Sequence, residues 1–306
     1  MKVLKNGRGA RAIKSCVLTL GNFDGLHLGH GRIIKKVVKR AEALGCPSVV
    51  YTFEPHPLKV VSPHKSPPLL LDLEDKIRLI EGFGVDYLVL ARFTREFAER
   101  HPAEFVEEVL VKTLSVSEVW VGHDFSFGRG RTGTVELLKS LGGAFGFSAS
   151  AIPAFVKLGG VVSSSRIRAL VKEGGVKEAA ALLGRGYSIK GKVVKGENLG
   201  REIGFPTANL RTTSELLPAD GVYAAYATFS GQRRGAVVNI GTAPTFGGRE
   251  RCVEVHIFGF EGSIYGRKME VSFVRRLRSE TAFGSKEALV RQIEKDSKRA
   301  RRILKL

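Results

Sequence analysis

Two histidines in a glycine-rich segment are the first residues whose types and spacing suggest chemistry. His27 and His30 lie within residues 21–30, Gly-Asn-Phe-Asp-Gly-Leu-His-Leu-Gly-His, which follow an apolar run and lead into a helical pattern. Positions three apart share one side of a helix, and a glycine-rich helix start brings backbone N–H groups close to phosphate. We therefore predict a phosphate site whose imidazoles donate hydrogen bonds to oxygens that gain charge during phosphoryl or nucleotidyl transfer.

The other predicted members of this phosphate site are Gly21, Phe23, Asp24, Gly25 and Gly29. Two alternatives stay open: a glycine-rich turn with two ordinary histidines, or a pair of metal ligands. A metal would need more ligands than the segment offers, although His56 could add one.

Two later segments follow predicted strands and could complete a site. Residues 52–57, Thr-Phe-Glu-Pro-His-Pro, bring His56 to the end of a strand, and a proline-stiffened loop is the alternative. Asp124 and Phe125 follow another strand in a glycine-flanked turn, where a carboxylate can contact a base or a ribose. Capping of that turn by the Asp124 side chain is the alternative.

Three consecutive serines, Ser163, Ser164 and Ser165, precede an apolar helical pattern that contains Arg168. Hydroxyls and N–H groups at a helix start can bind a triphosphate, and a guanidinium pairs with its charge. N-capping alone would account for one serine, but not for three serines beside two arginines. We predict that these four residues bind phosphate.

The second half contains a glycine-rich segment, residues 191–210, that ends in Phe-Pro-Thr-Ala-Asn-Leu. Its backbone N–H groups can form an anion-binding concavity, and a threonine hydroxyl with a nearby amide suits Mg²⁺. A plain hairpin loop is the alternative. Further on, Glu254 lies in an apolar run, on the same face as Cys252 and His256 by strand alternation. A solvated strand face is the alternative interpretation of this carboxylate.

The elements that must position these residues alternate through the first half. Apolar runs typical of strands occur at residues 16–20, 48–53, 87–91, 118–121 and 148–152, with helical patterns at 32–44, 73–83, 102–113 and 135–141. This order predicts an α/β fold, a parallel sheet with helices on both faces and a ligand at the carboxyl ends of the strands. A proline-rich loop at 56–68 should cross that edge.

The pattern changes after Gly184. Strand-like runs succeed one another across glycine-rich turns, at residues 187–194, 222–229, 236–240, 252–260 and 269–276. Such a series predicts a small antiparallel β-barrel, and residues 285–304 predict a closing helix with Ser285 as N-cap. We therefore predict two domains, residues 1–184 and residues 185–306.

Composition excludes several classes of protein. The 306 residues carry a net charge of +19, and 43% of them are hydrophobic, which is enough to build folded domains. No apolar run reaches the roughly 18–20 residues of a membrane span, and no signal peptide is recognisable, so we expect a cytoplasmic protein. The three cysteines are far apart, which predicts neither a disulfide framework nor a cysteine metal site.

Taken in order, these segments resemble a known family. Residues 27–30, His-Leu-Gly-His, are similar to the HxGH signature of nucleotidyltransferases with a Rossmann-like fold. With residues 52–57, 122–128 and 163–168, they resemble the FAD synthetase (FMN adenylyltransferase) module of the bacterial bifunctional riboflavin kinase/FAD synthetase family. Five later segments resemble the riboflavin kinase module of that family: residues 200–210, 221–223, 239–246, 253–256 and 265–266.

The resemblance covers about residues 15–304. It implies an N-terminal Rossmann-like nucleotidyltransferase domain with a parallel sheet, then a small antiparallel β-barrel domain with a C-terminal helix. The barrel would phosphorylate riboflavin to FMN with ATP and Mg²⁺, and the first domain would adenylylate FMN to FAD with release of pyrophosphate. The implied partners are ATP, riboflavin and FMN, with no specific nucleic acid and no membrane.

Roles of individual residues in the barrel also follow from the resemblance. Thr207 and Asn209 would bind Mg²⁺ and the ATP phosphates, and Glu254 would take the proton from the ribityl 5′-hydroxyl of riboflavin. The loop that covers the nucleotide would contain Gly196, Gly200, Arg201 and Gly204.

In the first domain, His27 and His30 would stabilise charge on the α-phosphate of ATP, together with Arg168. Flavin or nucleotide contacts would come from His56, Asp124 and Phe125. The chain departs from the family pattern at Ser165, where threonine is usual, and at His123, where an acidic residue is common.

Two other functions remain compatible with the sequence. One is an enzyme of the same fold with a single activity, which separate replacement of Glu254 and His30 would reveal, because each should abolish one product only. The other is a nucleic-acid-binding protein, suggested by the net charge and a basic C-terminal tail. The ordinary interpretation of such a tail is a solvated helix face.

Overall fold

Runs rich in valine, leucine and isoleucine form the strands of the first half, as their β propensity predicts. The computed structural model describes residues 1–6, 9–196, 200, 203–245 and 248–306. Their contacts divide the chain into two compact units, Met1–Ser163 and Ser164–Leu306. The boundary between the predicted domains, at residues 184/185, stays a prediction. No helix in the described ranges has the length and apolar character to cross a bilayer.

A six-stranded parallel sheet forms the centre of the first unit and confirms the predicted α/β fold. Its strands are β1 (Lys2–Lys5), β2 (Cys16–Leu20), β3 (Ser48–Glu54), β4 (Tyr87–Arg92), β5 (Val116–Gly122) and β6 (Ser148–Ile152). The spatial order is β1-β4-β3-β2-β5-β6. Strand β2 therefore has β3 on one side and β5 on the other, which makes its carboxyl end the switch point where open α/β sheets bind ligands. A short ribbon of β7 (Val156–Lys157) and β8 (Gly160–Val161) follows β6.

Helices cover both faces of this sheet, as predicted. They are α1 (Leu28–Leu44), α2 (Pro57–Val61), α3 (Leu73–Glu81), α4 (Arg95–Ala98), α5 (Pro102–Phe105) and α6 (Val135–Phe145). One core contains Ile34 of α1 with Val50 of β3. Val49 and Tyr51 belong to a second core, which strand alternation places on the opposite face.

Two expectations for the first unit are wrong in detail. The single helix predicted at 102–113 is α5 followed by a π-helical turn, Val106–Val111, where three β-branched valines lower the α-helix propensity. The loop predicted at 56–68 contains α2 and a 3-10 turn, Pro63–Lys65. Each of these begins at a proline, because the first turn of a helix does not need the missing N–H.

Six antiparallel strands close into a ring in the second unit and confirm the predicted β-barrel. They are β9 (Tyr187–Val194), β10 (Ala208–Thr212), β11 (Gly221–Phe229), β12 (Gln232–Thr245), β13 (Gly248–Ile257) and β14 (Lys268–Arg278). The order is β10-β13-β12-β11-β14-β9, and β9 pairs with β10 to complete the ring. The sequence does not predict β10, because Ala-Asn-Leu-Arg-Thr has no marked strand pattern.

Helices α7 (Ser164–Lys172), α8 (Val176–Leu183) and α9 (Lys286–Leu304) also belong to the second unit. Ser285 caps α9 as predicted, since its side chain accepts a hydrogen bond from the N–H of Ala288. The buried side of α9 is not entirely apolar. Ala300 is buried, but so is Asp296, which lies 2.8 Å (Nε to Oδ2) from Arg278 of β14 in an ion pair.

Candidate active sites

The turn between β2 and α1 has an unusual backbone. Phe23, Gly25 and Leu26 have positive φ angles of 46°, 78° and 39°. Non-glycine residues seldom adopt this conformation, so the surroundings must hold the turn in place. The side chains of Phe23 and Leu26 do so, because both are buried in the core shared with α1. The turn thereby brings the start of α1 to the carboxyl end of β2.

His27 and His30 lie on the same side of the first turn of α1, as predicted. Their rings stack with centroids 3.6 Å apart and planes 17° from parallel. His27 is the N-cap of α1, and its Nδ1 accepts a hydrogen bond of 3.2 Å from the backbone N–H of His30. The neutral His27 ring therefore has its proton on Nε2, the atom that can donate. Gly29 permits this stacking, because a Cβ there would lie 3.1 Å from the His27 ring.

Burial controls the protonation of His30. Desolvation, reinforced by electrostatic interaction with His27 and Lys76, holds the pKa of His30 well below its usual range, so its ring is neutral at pH 7. The Nδ1 atom of His30 is buried and has no hydrogen-bond partner among the described residues. Because an unsatisfied buried nitrogen is costly, this atom is suited to a bound ligand that completes its hydrogen bonding.

Phe23 and Asp24 support the two histidines from within the protein. The Phe23 ring meets the His30 ring edge-on, with centroids 5.3 Å apart. The buried Asp24 carboxylate accepts hydrogen bonds of 3.0 and 3.2 Å from the N–H of Leu70. Asp24 therefore joins the turn to the segment before α3. Its predicted phosphate contact stays a prediction, as do those of Gly21, Phe23, Gly25 and Gly29.

His56 lies beyond the carboxyl end of β3, as predicted. It is buried, and its Nδ1 accepts a hydrogen bond of 3.2 Å from the N–H of Leu58 as the N-cap of α2. A cis peptide joins Glu54 to Pro55 just before it. The structure thus gives His56 a capping role, and its contact with flavin or nucleotide stays a prediction.

Asp124 and Phe125 lie in the turn after β5, where the N–H of Phe125 donates to the carbonyl of Gly122. The Asp124 side chain is 83% exposed, and its Oδ1 lies 3.8 Å from Nδ1 of His123. This carboxylate is accessible to a polar ligand. Its contact with a base or a ribose stays a prediction.

Phe125, which the sequence selected, belongs to a cluster of phenylalanine rings at the carboxyl ends of β3, β4 and β5, and sequence reasoning missed the other members. Phe125 stacks on Phe127, with centroids 5.5 Å apart and planes 15° from parallel. Edge-on and tilted contacts extend the cluster, which consists of Phe53, Phe93, Phe97, Phe105, Phe125 and Phe127. The available signal was the repeated occurrence of phenylalanine at and after the predicted strand ends.

Helix α7 begins at Ser164, within the predicted serine triplet. Ser163 ends the first unit, and Ser165 is exposed at the start of the second. Arg168 is only 8% exposed, and a buried guanidinium requires polar partners. Phosphate binding by these four residues stays a prediction.

Glu254 belongs to a row of polar side chains that crosses three strands of the barrel. The antiparallel register sets Glu254 of β13 opposite Asn209 of β10 and opposite Asn239 of β12. Residues directly opposite one another project from the same face, and Asn239 Nδ2 donates a long hydrogen bond of 3.5 Å to Glu254 Oε2. Val253 and Val255, on the other face of β13, are buried, which confirms the predicted alternation. Sequence reasoning did not select Asn239, because strand pairing is invisible in one sequence.

Two glycines allow the chain to approach this row closely. A Cβ on Gly196 would collide with the side-chain amide of Asn209, and one on Gly200 would lie 3.2 Å from Thr207 Oγ1. Gly204 has a φ of +83°, a left-handed conformation that favours glycine. Arg201, the remaining predicted member of this loop, lies outside the described residues.

The polar atoms on this segment fit Mg²⁺. Thr207 and Asn209 are half-buried and supply a hydroxyl and an amide oxygen, the hard ligands that Mg²⁺ prefers. Among the described residues, no group of three or more histidine, cysteine or acidic side chains could hold a metal ion. Since Mg²⁺ commonly takes one or two protein ligands plus substrate phosphates, this donor set fits an ion shared with a nucleotide.

These features define a class of protein: a transferase that joins a nucleotidyltransferase-like α/β unit to a kinase-like β-barrel. Comparison with known proteins identifies the family. A family model described as FAD synthetase matches residues 10–166, and one described as riboflavin kinase matches residues 183–304.

Curated relatives are named for two activities. The bifunctional riboflavin kinase/FMN adenylyltransferase of Haemophilus influenzae is 38% identical over 95% of this chain and 95% of its own length. That of Escherichia coli K12 is 38% identical over 94% of this chain and 92% of its own. The chain belongs to the bifunctional riboflavin kinase/FMN adenylyltransferase family.

A solved structure resembles the whole chain. A crystal structure titled as a macrolide-efflux protein from Streptococcus pneumoniae is 32% identical, covers 98% of this chain and 99% of its own, and superimposes with a TM-score of 0.88. That title names an efflux protein, whereas the curated relatives are named for two transferase activities. The family assignment rests on those relatives and on the two family models.

Proposed function

We propose that this chain makes FMN from riboflavin in its β-barrel and FAD from FMN in its α/β unit. The family models and the curated relatives support this pair of activities. The observation that carries the kinase assignment is the position of Glu254 between Asn209 and Asn239. A carboxylate flanked by two amides combines a proton acceptor with neighbours that bind phosphate and metal.

In the kinase reaction, Glu254 acts as general base. It accepts the proton of the riboflavin 5′-hydroxyl while that oxygen attacks the γ-phosphorus of ATP. The bond from the γ-phosphorus to the bridging oxygen breaks, and ADP leaves. The hydrogen bond from Asn239 orients the Glu254 carboxylate for this transfer.

Thr207 and Asn209 hold Mg²⁺ and the phosphates of ATP in this proposal. The ion neutralises charge on the β- and γ-phosphates when it is bound. The close packing of Gly196 against Asn209 and of Gly200 against Thr207 supports the assignment, since it fixes both side chains beside a glycine-lined backbone. Gly204 and Arg201 are assigned to the same nucleotide on the strength of the family resemblance.

In adenylyl transfer, a phosphate oxygen of FMN attacks the α-phosphorus of a second ATP. The bond from that phosphorus to the β-phosphate oxygen breaks, and pyrophosphate leaves. His27 and His30 donate hydrogen bonds to the α-phosphate oxygens, which gain charge in the transition state. The neutral state of His30 and its unpartnered Nδ1 support this role, because a neutral imidazole can still donate from one nitrogen. Phosphate binding is also assigned to Ser163, Ser164, Ser165 and Arg168.

The phenylalanine cluster of the α/β unit is the proposed binding site of the flavin ring system. The phenylalanine cluster lies at the carboxyl ends of β3 to β5, the edge where such sheets bind ligands. Flat aromatic ligands gain affinity by stacking on such rings. We assign Phe125 and its stacked neighbour Phe127 to the isoalloxazine, with His56 and Asp124 as polar contacts.

A chromatographic time course with riboflavin, ATP and Mg²⁺ tests the proposed function. We expect FMN to rise first and then to convert to FAD. FMN that accumulates without FAD, even when FMN and fresh ATP are supplied, would favour the enzyme with a single activity. Formation of neither product, with oxidised or reduced flavin, would refute the proposal.

The positive net charge suggests one alternative function of a different class, nucleic-acid binding. Salt-sensitive binding of DNA or RNA is expected of any protein with a net charge of +19. Only base-selective binding would support that alternative. The absence of a specific nucleic-acid or membrane partner and the cytoplasmic location stay predictions.

A further inference from the structure

We propose that His256 is a positioning residue of the kinase site, which holds the Phe205–Thr207 segment in place through a side-chain hydrogen bond. The inference rests on the proposed kinase function and adds a residue that neither the sequence motifs nor the family resemblance assigned. His256 lies on β13, two residues beyond Glu254 and on the same face of the strand.

The backbone ladder between β10 and β13 ends just where this segment begins. Its registered pairs are Asn209 with Glu254 and Ala208 with Val255. Pro206 has no N–H and cannot extend the ladder. The segment that contains Thr207 therefore needs another anchor to keep its side chains in register with β13.

His256 supplies that anchor. Its Nδ1 lies 3.0 Å from the carbonyl oxygen of Pro206. Because a carbonyl can only accept, the imidazole must donate from Nδ1–H, so the neutral ring is the Nδ1–H tautomer. The Phe205 ring packs edge-on against the imidazole, with centroids 5.4 Å apart. One side chain thus binds the backbone of Pro206 and supports the ring of its neighbour.

A second fixed point lies on the other side of the segment. The N–H of Phe205 donates a hydrogen bond of 2.8 Å to the carbonyl of Gly200. Thr207 follows directly after these two attachments, and its Oγ1 faces the position where a Gly200 Cβ would be. Loss of the His256 bond leaves the Gly200 contact but frees Pro206, so the hydroxyl of Thr207 is no longer held relative to Glu254.

Two substitutions separate the hydrogen bond from the ring. H256N keeps an N–H donor at the distance of Nδ1 from the backbone, whereas H256F keeps an aromatic ring against Phe205 but cannot donate. We expect H256F to raise KM for MgATP in the kinase reaction by about three- to ten-fold, the usual effect of one hydrogen bond. We expect KM for riboflavin to change less than two-fold, and H256N to stay within about two-fold of the parent in both constants.

Adenylylation of supplied FMN, measured on the same preparations, is the control for an intact chain. Equal kinetic constants for H256F and the parent would overturn the inference, as would an equal rise in KM for MgATP in H256F and H256N. If H256F also loses adenylylation, H256Q is compared with H256N instead. The glutamine places its N–H donor one methylene farther from the backbone, so H256Q should have a higher KM for MgATP than H256N. Equal KM values for H256Q and H256N would overturn the inference. A parent chain that forms no FMN would instead refute the kinase function itself.

Discussion

Asn239 donates a hydrogen bond to Glu254 across the β12–β13 pair, and the opposite neighbour of Glu254 is Asn209. The carboxylate is thereby flanked on both sides by amides that two different strands supply. The side-chain N–H of Asn239 holds one oxygen of the carboxylate, Oε2, in place. This arrangement suits a group that must accept a proton during catalysis.

Replacement of Glu254 should separate the two activities. E254Q keeps the shape of the side chain but removes its proton affinity, so we expect FMN formation to fall by about 10²- to 10⁴-fold. FAD formation from supplied FMN should not change. Separate assays of the two products check this, with E270Q, on strand β14 of the same barrel, as control. Kinase activity within three-fold of the parent would remove Glu254 from its role as general base.

His30 should make the stability of the protein depend on pH. Its pKa in the folded chain lies well below 6.5, mainly because of desolvation, whereas the unfolded chain binds a proton near pH 6.5. The unfolded state therefore gains protons first, and stability is lost as the pH falls below about 6.5.

The free energy of unfolding of the parent should fall between pH 7 and pH 5. We expect the fall in H30Q to be smaller than that of the parent by on the order of 1–2 kcal/mol. Urea unfolding at both pH values measures the difference. H64Q, at an exposed histidine, is the control and should behave as the parent does. Identical pH dependence in H30Q and the parent would contradict the buried, neutral state of His30.

A methyl group at Gly196 should disable nucleotide binding in the barrel. The added Cβ would collide with the Asn209 amide and push it out of the row that contains Glu254. We expect G196A to raise KM for MgATP in the kinase reaction by at least about ten-fold, the equivalent of roughly 1.4 kcal/mol. The matched control is G284A, since a Cβ there would meet no atom within 4 Å. Similar KM values for MgATP in the two variants would mean that the Asn209 amide can move without weakening nucleotide binding.

The ion pair between Asp296 and Arg278 should stabilise the second unit. Both partners are largely buried, and Gln292 donates a further hydrogen bond of 3.0 Å to the same carboxylate. Removal of one member of such a pair costs about 3–5 kcal/mol, because a buried charge is left uncompensated. We expect D296A to lose kinase activity at a lower temperature than the parent. E294A, on the exposed face of α9, is the control and should be close to the parent; equal thermal inactivation of both would refute the role of this pair.

The local features of the sites could be predicted from the sequence, and the features that depend on strand pairing could not. The i, i+3 spacing predicted that His27 and His30 would share a side of α1, and alternation predicted which face of β13 bears Glu254. The proximity of Asn239 to Glu254 depends on the register between two strands, which a single sequence does not reveal.

Elements with weak patterns were missed for a related reason. Strand β1 is short and has a lysine at each end, and it forms because it pairs with β4 at the edge of the sheet. Strand β10 is polar, and its two neighbours in the ring hold it extended. Asp296 looks like part of a solvated helix face until the guanidinium of Arg278 is seen beneath it. In each case tertiary contacts outweigh local propensity.

Strand β10 completes the ring of the barrel, yet among the described residues its register with β13 contains just two pairs, Ala208 with Val255 and Asn209 with Glu254. The seam between β10 and β13, where this pairing is short, is the place where MgATP is proposed to bind. A fluctuation that opens this seam would separate Asn209 from Glu254 while most of the barrel stays folded. Bound MgATP would stabilise the pairing of β10 with β13, so amide hydrogen exchange along β10 should slow when the nucleotide is added.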